Sequence, residues 1–168
     1  LGADLGTTLA ARADEARSSG DERAASLLER AALRAGALEG PRAERLVTVA
    51  AREVEKDAGD VAALETLAAA AGLPDPAGES ARDALYRLVG RTTDGDPTGA
   101  LRAALERARA TTLERAGARE AAAFDRGLRR ATIDLEHSLR RSLRPPDWPP
   151  ERPLPGRALS LAARDRRW

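Results

Sequence analysis

Thr112-Leu-Glu-Arg-Ala-Gly-Ala-Arg-Glu-Ala-Ala122, Ala123-Phe-Asp-Arg-Gly-Leu-Arg-Arg-Ala-Thr-Ile133 and Asp134-Leu-Glu-His-Ser-Leu-Arg-Arg-Ser-Leu-Arg144 are three consecutive runs of eleven residues that align with one another. Leu113, Phe124 and Leu135 fall in register, as do Glu114, Asp125 and Glu136, then Gly117, Leu128 and Leu139, then Arg119, Arg130 and Arg141. Eleven residues make close to three helical turns, so equivalent positions return to one face with little supercoiling. The pattern predicts an amphipathic helix with Leu113, Phe124, Leu128, Leu135 and Leu139 on its apolar stripe and arginines opposite. Any long amphipathic helix resembles itself at a shift of eleven, so the register argues for helix and not for duplication.

Asp96-Pro97 supplies an N-cap and a first-turn proline for this segment. Residues 97–144 therefore read as one long helix, or as one broken once near Thr111. There Thr111 and Glu114 form a capping box, and Gly117 costs about 1 kcal/mol relative to Ala in a helix interior.

Upstream, residues 1–90 read as a bundle of helical hairpins. A weak helix from Leu5 to Arg17 places Leu5, Leu9, Ala13 and Ala16 on one face and stops at Ser18-Ser19-Gly20. Asp21 caps a second helix that buries Leu27, Leu28 and Ala31 and ends at Glu39-Gly40-Pro41. A third, from Arg42 to Ala58, buries Leu46, Val47, Ala50 and Val54, and a fourth, from Val61 to Ala71, buries Leu64, Leu67 and Ala71. Pro74 and Pro76 mark residues 73–79 as the best internal boundary. Ser80 and Asp83 then cap a short helix ending near Gly90, with Leu85, Tyr86 and Val89 inward. Gly-Asp recurs at 20–21, 59–60 and 95–96, each time before an Ala/Leu-rich segment. Unequal spacing makes this helix punctuation more than a tandem repeat.

Composition agrees with an all-α fold. Ala (38), Arg (27) and Leu (23) fill more than half of the 168 positions, whereas aromatic and β-branched residues are scarce. Large aliphatic residues and Phe number 30, just under the roughly 20% below which a highly charged chain stays disordered. The net charge is only +1, so a thin, alanine-rich core is expected. The charge is unevenly placed, −6 over residues 1–100 and +7 over 101–168. Such asymmetry suits an anionic partner for the basic half, or attraction between the halves or between copies of the chain.

Chemistry is restricted by what is scarce. No cysteine means no disulfide, thiolate metal site or cysteine nucleophile, and a single histidine cannot build a histidine metal centre. His137 sits between Glu136 and Arg140-Arg141 and reads as a solvated side chain. The carboxylate pairs Asp14-Glu15, Asp21-Glu22 and Glu53 with Asp57 have arginines at helical spacing, the pattern of a solvated helix face. Gly95-Asp-Pro-Thr-Gly99 lacks the Lys-Ser/Thr of a phosphate loop. No cofactor is expected, and no run of 18 apolar residues predicts a membrane span.

Two surfaces are left as candidate binding sites. Arg115, Arg119, Arg126, Arg130 and Arg141 form a possible anion-binding stripe able to track phosphates by charge. Acidic neighbours such as Asp125, which has Arg129 at i+4, oppose that use. Residues 145–168 form a Pro-rich tail, with six prolines between Pro145 and Pro155, extended and inexpensive to order on binding. Trp148, with Pro149 and Pro150, is its natural anchor, and Phe124, Leu128 and Leu135 are candidates for packing on the hairpins or on a partner. The sequence reads as a non-catalytic protein-interaction or assembly module, with nucleic acid or another anionic surface as the alternative partner. Arginine in place of lysine suggests a GC-rich bacterial genome and a cytoplasmic setting. A chain with Leu first and no Met anywhere reads as processed or as a piece of something longer.

Overall fold

A computed structural model describes residues 2–91 and 99–142. Among them are seven α-helices and no strand: α1 (Gly2–Ser18), α2 (Glu22–Arg34), α3 (Gly40–Lys56), α4 (Val61–Ala70), α5 (Ala77–Arg91), α6 (Ala100–Ala116) and α7 (Ala118–Ser142). The all-α reading is correct.

The central element is α4, VAALETLAAA. A helix that is apolar almost all round must be covered on every side. Ala63, Leu64, Thr66, Leu67, Ala68, Ala69 and Ala70 are all buried, and α2, α3, α5 and α6 pack around them. Alanine on these faces lets neighbouring backbones come close. Gly72, just past α4, takes this furthest: a Cβ there would collide with the carbonyl of Thr111 on α6. The hydroxyls of Thr66 and Thr112, both buried, donate to Ala62 O and Ala108 O at 2.7 Å, so neither leaves an unpaired polar group in the core. One apolar cluster runs from Ala32 through to Phe124. Leu73, Ala77 and Gly78 are buried too, so within residues 73–79, expected as a boundary, an exposed turn over residues 74–76 leads straight into α5 with buried residues on either side.

Side-chain capping accounts for the starts of α2, α4 and α5. Asp21 and Asp60 accept from the amides of Ala24 and Ala63 at 2.9 and 3.0 Å, as their place after glycine suggested. The Gly-Asp pair at 95–96 lies outside the described residues, as does Pro97. α5 starts earlier than the Ser80–Asp83 pair implied, because Asp75 is the residue that accepts from the Glu79 amide, at 3.0 Å. Asp75 also takes Arg82 Nη2 at 2.8 Å while Arg82 Nη1 donates to Ala71 O at 2.7 Å, tying the ends of α4 and α5 together.

Three inward assignments need correction. Leu27 is 61% exposed, because the buried stripe of α2 is Ala25, Glu29, Ala32 and Leu33. The buried members of α1 are Gly6 and Ala13, leaving Leu5 at 58% exposure. Leu113 is 47% exposed, because the inward face of α6 is Leu101, Ala104, Leu105, Ala108 and Thr112. The break in the long C-terminal helical segment falls at Gly117 instead of Thr111. Gly117 adopts φ 91, ψ 178 and donates to Thr112 O and Leu113 O, a backbone state essentially restricted to glycine.

Candidate functional site

The break at Gly117 lets α7 fold back to pack on both α5 and α6. Its inward stripe is Ala121, Phe124, Leu128, Ala131 and Leu135, spaced three and four residues apart. Phe124 is 1% exposed, with its ring centroid 5.5 Å from that of Tyr86, and Leu135 is 3% exposed. Leu128 and Leu139 are half-buried. Phe124 and Leu135 are thus covered by the chain's own packing, with Leu128 half-buried beside them. Gly127 makes room for the Tyr86 ring, whose hydroxyl donates to Phe124 O at 3.1 Å. Burial pushes the Tyr86 phenol up to about 12; Arg82 opposes this, while Asp83 and Asp125 add to it.

The opposite side of α7 is where charge collects. At 100° per residue, Arg119, Arg126, Arg129 and Arg130 fall within roughly a third of the helix circumference, directly away from Phe124. All four are exposed, and within the described residues none has an ion-pair or hydrogen-bond partner for its guanidinium. From Arg119 to Arg130 the face runs about 16 Å along the axis. Ile133, 46% exposed, lies on the same side of α7 about one turn beyond Arg130, with His137 exposed about a further turn on.

Asp125 does not neutralise this face. It projects to the α6 side, where Arg109 Nε reaches its two carboxylate oxygens at 2.8 and 3.1 Å. That hydrogen bond and the attached charge raise the Arg109 guanidinium further. The expected Asp125–Arg129 pair is therefore replaced by a tie between helices, which leaves Arg129 free. Arg115, counted with the stripe in sequence, belongs elsewhere. It lies past the end of the α6 core against Gly36 (φ 82), between two open grooves of about 480 and 350 Å³. The side chain of Arg141 and residues Trp148, Pro149 and Pro150 lie outside the described residues.

One cluster escaped the sequence reading. Glu29, 4% exposed, accepts from Arg17 Nη1 of α1 and Arg42 Nε of α3, both at 3.0 Å, and Asp14 lies 3.0 Å from Arg42 Nη2. Burial alone would raise the Glu29 carboxyl, but the two guanidiniums outweigh it and hold it below the ordinary value. The same interaction raises Arg17. The signal was available: Glu29 falls on the Ala25–Ala32 stripe, where a carboxylate needs cations from outside its own helix.

No group of three or more His, Asp or Glu able to hold a metal occurs among the described residues. None of their helices is long and apolar enough to cross a membrane. Comparison with protein-family models, curated proteins and solved structures finds no match to this chain.

Proposed function

We propose that this chain is a non-catalytic helical interaction module, working in the cytoplasm, that docks on a negatively charged partner through the outer face of α7. The observation that carries this reading is the unpartnered set Arg119, Arg126, Arg129 and Arg130 on one face of a helix whose other face is locked into the core. A folded protein gains little by leaving four guanidiniums together and unpaired. An acidic partner gives them charge-assisted hydrogen bonds that none of the described residues supplies. Ile133, exposed about one turn beyond Arg130 on the same side of α7, favours an acidic protein surface over a bare phosphate backbone, because only the former covers apolar area as well.

Nucleic acid is the second reading, favoured by the same arginines and their rise of about 16 Å along a helix. The test is a titration of the intact chain with a fluorescent DNA duplex and, in parallel, with a labelled acidic helical peptide carrying one apolar anchor, each at several salt concentrations. The reading expects the peptide to bind at low salt and weaken as salt rises, and the double change Arg126→Glu with Arg130→Glu to abolish binding without lowering the melting temperature. Tighter binding of duplex than of peptide moves the assignment to nucleic acid. If the double variant binds both probes as the native chain does, α7 is not the docking surface.

A further inference from the structure

The pairing of α3 with α5 leaves a second basic feature, far in sequence from the arginine face. Their C-terminal turns enclose a hollow of about 200 Å³. Its floor includes Val54, Ala84 and Leu88, each no more than 6% exposed. On its rim stand Lys56, Arg87 and Arg91, with Glu55 as the one carboxylate among the described residues. Within the described residues none of these four has an ion-pair partner.

Helix-end electrostatics accounts for only part of this. Lys56 and Arg91 lie in last turns, where a cation suits the exposed carbonyls. Arg87 does not. It stands one turn before Arg91 on the same helix, an i,i+4 pair of like charges that destabilises an isolated helix. An anion seated between them turns that repulsion into attraction. The contrast with the groove beside Arg115 is informative: there Arg34 and Arg107 both engage Glu65, so their charge is already met within the chain. Around the α3–α5 hollow three cations converge on apolar ground and face one carboxylate.

We propose that this hollow binds a small organic anion, with its acidic head among Lys56, Arg87 and Arg91 and a short apolar body on Val54, Ala84 and Leu88. Its volume lies below the roughly 300–1,000 Å³ of pockets for drug-sized ligands, so a nucleotide is too large and a short-chain acid fits. Both halves of the ligand contribute: the chain alone meets no charge, and the charge alone leaves the floor in water.

The site is tested on the intact, isotope-labelled chain by following backbone amide shifts during titration with hexanoate and with hexyl phosphate. Acetate and hexanol serve as the controls that lack the apolar body or the charge. The proposal expects saturable shifts at Val54, Ala84 and Leu88 with at least one of the two six-carbon anions, and affinities at least about tenfold weaker for both controls. Whichever anion binds more tightly identifies the head group. Arg87→Gln with Arg91→Gln, two exposed positions, should abolish the binding at unchanged melting temperature. Ala51→Leu, which fills the hollow and keeps every charge, should abolish it too. Arg126→Glu with Arg130→Glu should leave it intact, separating this site from α7. Absence of saturable shifts with both anions, acetate binding as well as hexanoate, or native affinity in the Arg87/Arg91 variant each overturns the proposal.

Discussion

Glu29 shows how one side chain decides the geometry of three helices. It and its neighbour Arg30 reach Arg42 and Glu53, which are eleven residues apart on α3, about 16 Å of helix. The same carboxylate draws Arg17 of α1 onto the junction, so side chains of α1, α2 and α3 meet at one buried group. Replacing Glu29 with Gln leaves two guanidiniums short of a charged acceptor, and we expect a loss of about 1–3 kcal/mol at neutral pH. The sign of the pH dependence follows from the lowered carboxyl: its stabilisation is complete above the ordinary value of 4.5 and fades as pH falls through the lower folded value. Melting curves of native and Glu29→Gln chains should thus differ near neutrality and converge in acid; a gap that persists in strong acid would show that Gln disturbs packing instead. The junction was legible only in the register of Glu29 with Ala25 and Ala32, which reading a helix for its apolar residues alone passes over.

Among whole elements, α3 and α4 were the most legible. Leu46, Val47, Ala50 and Val54 repeat at helical spacing, and all four are buried. α2 was misread because Leu27 and Leu28 outweigh Ala25 and Ala32 in any apolar count, although close helix crossing selects the small residues. The α6–α7 region was read as one long amphipathic element with a break, and the break was assigned to Thr111 on its capping signal. Thr111 instead lies inside α6, and its neighbour Thr112 shows the other common use of a helical threonine, its hydroxyl bonding back to Ala108 O. Gly117 makes the difference testable. In a continuous helix Gly117→Ala would stabilise by about 1 kcal/mol. At φ 91, ψ 178 it should instead destabilise by about 1–3 kcal/mol, and also loosen the Tyr86–Phe124 contact that follows the turn. Chemical denaturation of the Gly117→Ala chain settles the sign. A gain in stability would mean that α6 and α7 can run through as one helix.

For the molecule as a whole, the question is whether residues 1–90 are a bundle onto which the C-terminal helices are added. The burial pattern of α4 argues against that. Leu67 and Ala68 are fully buried, α6 packs on α4 along its length, and Gly72 meets the backbone at Thr111. Removing α6 and α7 would open one side of the most apolar helix in a chain with few large side chains to spare. A fragment of residues 1–91 should therefore lose cooperative unfolding, and show either a broad, shallow helix signal on heating or aggregation. The intact chain should unfold in a single transition, with the near-ultraviolet signal of Tyr86, held between α5 and α7, lost together with helix content. Two separated transitions, or a sharp melt in the fragment, would make the N-terminal bundle an independent unit. In that case the charge difference between the halves, −6 against +7, would belong to two modules meeting at an interface and not to one core with an acidic and a basic side.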